Sequence, residues 1–218
     1  MGTRSGSPLG DMSGKIGTIV LTTYKKTIWV VKGLSSKTNK VSLEQRNQRA
    51  LFETVQTFLK KASETIKLGY QLPRKSALSE MNMATSYHLL NAVVGEYPEY
   101  SIDLSKVKFT HPIRSIEKGW KTEFTAGKEL FGEVSWEMNP FPDKSTRWDD
   151  KAVIVIYSGT DKQFYRFQGV ERRQLSYSFT DREYFSGHEI FCWLFFISAD
   201  GKFVSETEYL GMIKMPTV

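Results

Sequence analysis

The chain has 218 residues, with 40% hydrophobic and 25% charged side chains and a formal net charge of +6. Those values exclude a disordered or collagen-like chain. One cysteine, Cys192, excludes an intrachain disulfide and a multi-cysteine zinc site. The charge is uneven. Residues 1–100 carry 14 Lys/Arg and 7 Asp/Glu, a balance of +7, whereas residues 101–218 carry 16 and 17, a balance of −1. Between Met12 and Lys75 there are 13 basic and 3 acidic residues, a balance of +10.

In chain order, residues 1–14 read as a flexible arm rich in Gly and Ser, with no apolar core of a secretory signal. Residues 15–100 read as a basic hairpin-plus-helix region. Ile16–Leu21 and Thr27–Val31 are β-branched runs that predict a hairpin, with Tyr24, Lys25 and Lys26 near its tip. Ser42 and Gln45 form a capping box for a helix whose apolar face is Leu51, Val55, Phe58, Leu59, Ala62 and Ile66, closed by Gly69. Ser79–Val94 predicts a second helix ended by Gly95, and Tyr97–Tyr100 is expected to be extended.

Residues 101–218 predict an immunoglobulin-like antiparallel β-sandwich, so the fold class is α+β. Strands are expected near 106–110, 129–137, 152–157, 164–168, 174–179, 189–198 and 203–210, with an Asp200-Gly201 turn before the last. Glu189–Ser198 is apolar on both faces. Ile190, Cys192, Leu194 and Phe196 share one side; Phe191, Trp193, Phe195 and Ile197 share the other. Both sides need cover, from the helices or from another chain. Residues 139–147 form an irregular loop at one end of the sandwich, where interaction loops collect.

No catalytic, metal or cofactor constellation emerges. His88, His111 and His188 are scattered and read as surface or satisfied histidines; no HExxH or phosphate-loop motif is present. A Ser/His/Asp arrangement stays open, although no Gly-x-Ser-x-Gly elbow exists. Cys192 reads as core, and Asp149-Asp150 as a solvated turn. The longest apolar run, Ile190–Ile197, is too short to span a bilayer, so the expected location is the cytoplasm or a particle assembled there.

The candidate polyanion-binding residues are Lys25, Lys26, Lys32, Arg46 and Arg49, with Trp29 as a candidate aromatic contact. The same basic face could instead dock on an acidic protein surface. A third reading, a glycan-acting enzyme, would need paired carboxylates such as Glu133, Glu137 or Asp150. The first reading is a non-catalytic structural or interaction protein, with a protein partner or a second copy of itself and no cofactor.

Several segments taken together resemble a family of small Bacteroidota proteins known only as a domain of unknown function. They are Ser13–Val20, Trp29–Val31, Glu44-Gln45 with Gln48-Arg49, Ser86-Tyr87, Gly95–Pro98, Ile102–Val107, Asp149–Ala152, Ser198–Lys202 and Tyr209–Gly211. The hairpin, linker and Gln/Arg-bearing helix start are also similar to segments of phage-encoded proteins. The resemblance implies no activity and supplies no catalytic residues.

Overall fold

The run Glu189–Ile197 organises the molecule. In the computed structural model it is the strand β11 of a four-stranded antiparallel sheet of order β12-β11-β8-β9. The flanking strands are β8 (Lys151–Ser158), β9 (Gln163–Glu171) and β12 (Glu208–Lys214). The structure describes residues 41–73, 76–126, 132–179 and 185–215, and the backbone of residues 14–16, 19–24 and 27–32. Two units are distinguished, Met1–Gln45 and Arg46–Val218.

In the first unit, β1 (Gly14–Ile16), β2 (Ile19–Tyr24) and β3 (Thr27–Lys32) form an antiparallel sheet in that order. The expected hairpin is present, extended by β1. The pairing of β2 with β3 runs from Ile19↔Lys32 to Tyr24↔Thr27, so β2 extends past Leu21 through Thr22–Tyr24. Of the expected arm, residues 1–14, residues 1–13 lie outside the described residues and Gly14 belongs to β1.

In the second unit both faces of β11 are covered by the chain itself. Trp193, Phe195 and Ile197, with Val153 and Val155 of β8, pack against the helices through Val55, Leu59, Ala62, Ile66 and Ala84. Ile190, Cys192, Leu194 and Phe196, with Ala152, Ile154 and Ile156, pack on Val134, Trp136 and Phe179 of a second sheet. That sheet has order β10-β7-β6, from β6 (Trp120–Thr125), β7 (Gly132–Glu137) and β10 (Ser176–Phe179). The alternation read from the sequence thus divides β11 between two cores. Each fully buried side chain of this size contributes roughly 1.5–3 kcal/mol.

The helices are α1 (Leu43–Lys61), α2 (Ser63–Gly69) and α3 (Glu80–Asn91). The capping box is present: the Ser42 N–H donates to Gln45 Oε1 at 3.3 Å, and the Gln45 N–H to Ser42 Oγ at 3.2 Å. The single expected helix breaks at Ala62, so α2 can turn its Thr65, Ile66 and Gly69 inward. Gly69 is required by contact. A Cβ there would lie 2.2 Å from the carbonyl oxygen of Phe109. Ser79 caps α3 by accepting from the Asn82 N–H.

Four sequence expectations need correction. Helix α3 stops at Asn91, and Val93–Glu96 (β4) pairs with Glu99–Ile102 (β5) as a hairpin. Tyr97 and Pro98 form its turn, with a cis bond between them, and are not extended. The strand expected at 106–110 is a short 3₁₀ turn, Leu104–Lys106, followed by unpaired extended chain, because Asp103 accepts from the Ser105 N–H and closes the turn. The last strand begins at Glu208. The Asp200-Gly201 turn is present, with Gly201 at φ 71°, but Val204 makes only isolated bridges, to Ile197 and Ser115.

Candidate binding surface

The expected polyanion-binding residues fall in both units and partly outside the described residues. Lys25 and Lys26 lie outside the described residues. Trp29 and Lys32 are in β3, of which only the backbone is described. Arg46 and Arg49 are exposed on the first turns of α1.

What the second unit does assemble is a loop end. The start of β6, the end of β7, the segment from Met138 to Asp150, and the turn Arg172–Gln174 are joined by hydrogen bonds centred on two groups. The first is Arg172, only 3% exposed. Its Nη2 donates to the Glu117 carbonyl at 2.7 Å and its Nη1 to that of Lys118 at 3.3 Å. Its guanidinium lies over Phe196, 3.8 Å from the ring centroid. Its own carbonyl accepts from Trp136 Nε1 at 2.7 Å. Asp150, fully buried, faces it with Oδ2 3.4 Å from Nε and also accepts from the Arg147 N–H at 2.9 Å. The Asp149-Asp150 step is therefore not a solvated turn. Burial pushes the Asp150 carboxyl above the ordinary carboxylate range and the Arg172 guanidinium below its own, the mark of charges removed from water.

The second group is Glu117. Its Oε1 accepts from the Asn139 side chain at 3.0 Å and from the Asp143 N–H at 3.1 Å. Thr146 Oγ1 accepts from the Glu117 N–H at 3.1 Å, and Ser145 Oγ donates to the Ser115 carbonyl at 3.1 Å. The Phe141 N–H is held by Asn139 Oδ1 at 2.9 Å. The backbone is pinned on both sides of Phe141, yet that ring is 89% exposed. Trp148, 54% exposed, carries Arg173 stacked at 4.4 Å, and Trp120, Met138 and Leu175 are exposed at the same end. A fixed loop that displays rings loses little entropy when it meets a partner.

The sequence reading placed an irregular loop here and missed its two anchors. Arg172 resembles any surface arginine, since its partners lie 22 to 55 positions away in sequence. Phe141 flanked by Pro140 and Pro142 was the one visible signal.

Several groups that might have carried chemistry are engaged within the fold. Ser158, His188 and Asp161 do meet: Ser158 Oγ is 3.1 Å from His188 Nδ1, and Asp161 Oδ2 is 3.4 Å from the same nitrogen. A catalytic triad needs its serine and its carboxylate on opposite ring nitrogens. Here both sit at Nδ1, and Ser158 is fully buried at the start of a turn whose Asp161 N–H it accepts. His88 is buried and satisfied, Nδ1 against the Ala84 carbonyl at 2.7 Å and Nε2 accepting from the Lys108 N–H at 3.3 Å. Cys192 is buried and its thiol pushed up by burial. Glu137 pairs with Lys121 at 2.8 Å. Among the described residues no cluster of three or more His, Cys, Asp or Glu is placed to hold a metal ion, and no helix is long and apolar enough to cross a membrane.

A comparison with curated proteins finds no match. Among solved structures, a chain described as "Myokine structure" aligns at 19% identity over 47% of this chain and 99% of its own, with a TM-score of 0.37. At that score the likeness does not bear on the fold. A family model, "Family of unknown function (DUF6266)", matches residues 11–211. That span takes in the N-terminal sheet, the helices and all strands of the second unit except the last three residues of β12, and the chain belongs to the DUF6266 family.

Proposed function

We propose that this protein acts by binding, as a non-catalytic structural or interaction subunit, and that the loop end carrying Phe141 and Trp148 is its contact surface. The observation that carries this is Phe141, 89% exposed on a backbone fixed by Glu117 and Asn139. Exposed aromatic anchors on rigid supports are the side chains that dominate protein interfaces. The seven strands β6 to β12 support an immunoglobulin-like reading of the two sheets. The first, second and fifth strands share one sheet, and the seventh, sixth, third and fourth the other, in that order. In this reading the loop end corresponds to the place where such sandwiches gather their binding loops. The same proposal takes the protein as located in the cytoplasm or in a particle assembled there, and, on the strength of the segment resemblances, as of Bacteroidota origin and part of a phage-related assembly.

A second reading is nucleic-acid binding by the basic N-terminal half. The balance of +10 between Met12 and Lys75 and the exposure of Arg46 and Arg49 favour it. Size exclusion with light scattering and a 260/280 nm ratio, before and after nuclease, separates the two. A multimer free of nucleic acid supports assembly. Nuclease-sensitive absorbance that is lost in high salt, and lost on charge reversal at Lys25, Lys26, Arg46 and Arg49, overturns it in favour of the basic face. A clean monomer that captures no partner would sink both.

A further inference from the structure

A cleft of about 370 Å³ opens beside α3, between that helix, the end of α2 and the extended segment Lys108–Pro112. That volume is at the lower end of the range of about 300–1,000 Å³ typical of small-molecule sites. Its walls include Tyr70, Leu78, Met83, Tyr87 and His111, and two charged residues, Lys108 and Glu206, border it.

The walls are held in place by their neighbours. Tyr70 bridges to His111 and stacks on its ring at 6.0 Å, and its hydroxyl donates to the Lys108 carbonyl at 3.3 Å. The Gln71 side chain accepts from the N–H groups of Ile113 and Arg114 and donates to the Lys202 carbonyl. Gly69 lets α2 press on the Phe109 backbone. Tyr87 anchors its hydroxyl on the Lys106 carbonyl at 3.3 Å. An apolar surface this well braced, with Leu78 left 55% exposed, is preorganised for an apolar body.

The charges decide what kind. The Lys108 ammonium lies over the Tyr87 ring, 5.6 Å from its centroid. Glu206 is exposed. Neither side chain makes an ion pair among the described residues, with each other or with a third group. A cleft bordered by one cation and one anion, with apolar walls, is complementary to a zwitterion that carries an apolar side chain. A simple apolar acid would meet Lys108 but be repelled by Glu206, and an apolar amine the reverse. We propose that this cleft binds a free α-amino acid with a large apolar side chain, its carboxylate at Lys108, its ammonium at Glu206 and its side chain against Tyr87 and Met83.

The probes are L-phenylalanine, 3-phenylpropionate, which lacks the amine, and phenethylamine, which lacks the carboxylate. Each is titrated into the full chain by calorimetry and by amide chemical shift. Saturable binding of L-phenylalanine at least tenfold tighter than either analogue is expected. Lys108→Met should weaken the amino acid at least tenfold and leave phenethylamine unchanged; Glu206→Gln should weaken it similarly and leave 3-phenylpropionate no weaker. Absence of saturable binding, equal binding of all three probes, or indifference to both substitutions overturns the proposal. Circular dichroism checks that the variants fold, and if either does not, the ranking of the three probes on the unaltered chain decides.

Discussion

The centre of β11 and the loop end at Arg172 are both buried, and they are buried by opposite means. At the centre, eight successive residues, Ile190–Ile197, present apolar side chains to two cores, and the strand is ordered by area removed from water. At the loop end, an arginine and an aspartate have been taken out of water to hold carbonyls of Glu117 and Lys118 and the amide of Arg147. Buried ion pairs add little net stability, because desolvation offsets their attraction. Area therefore supplies the stability of this unit, while the charged pair gives one end a defined shape.

The largest expected effect comes from the apolar side of that contrast. Phe195→Ala removes a fully buried ring from the helix-facing core and should cost about 3–5 kcal/mol in denaturant unfolding. A loss below about 1 kcal/mol would mean that β11 is not the centre of the fold.

Arg172→Met comes next and tests the charged side. It leaves Asp150 buried without its cation, and breaking such a pair costs about 3–5 kcal/mol. The carboxyl already sits above its ordinary range, so protonation softens the loss towards the lower figure. The double variant Arg172→Met, Asp150→Asn should be more stable than the single one yet show a loosened 139–147 loop by hydrogen exchange. If the double variant keeps the loop as protected as the unaltered chain does, the pair does not shape this end.

A smaller and pH-dependent effect belongs to His88, the neutral polar group under the helices. Burial lowers its pKa below the ordinary histidine value, and both ring nitrogens are engaged in the neutral form. The unfolded chain takes up a proton near about pH 6.5, whereas the folded chain resists it. Its stability contribution is thus fully present above about pH 6.5 and declines as pH falls below that value towards the folded pKa. Melting between pH 8 and pH 5 should show this decline, and His88→Gln should remove that component of it. An unchanged slope in the variant would place the acid sensitivity elsewhere.

These regions also differ in how far they could be read from sequence. The two faces of β11 were legible because a period of two is local and both faces are apolar. The strand β6 was missed although Thr122 and Phe124 turn inward between exposed neighbours. Its signal is short, half polar and interrupted at Lys121, which takes φ 46°. The break at Ala62 left no mark in the helical period, which runs unbroken from Leu51 to Ile66. The loop end was legible only as a loop. Its geometry depends on Glu117, Asp150 and Arg172, three charged residues whose spacing follows no local rule.

Phe141 separates shape from stability most cleanly. Its ring is almost wholly in solvent, so Phe141→Ala should change unfolding free energy by no more than about 0.5 kcal/mol. The loop beneath it is held by hydrogen bonds of Asn139, Glu117 and Thr146, none of which uses the ring. If the loop end is the contact surface, the same substitution should weaken self-association or partner capture by about 2 kcal/mol or more, roughly thirtyfold, as for an interface anchor. Light scattering across a dilution series reads the first and calorimetry the second. A variant that melts normally and binds normally would remove Phe141 from the interface and leave Trp148 and Trp120 to carry it. A variant that melts much earlier would show that the ring packs on the loop, and that this end, like β11, is held by area.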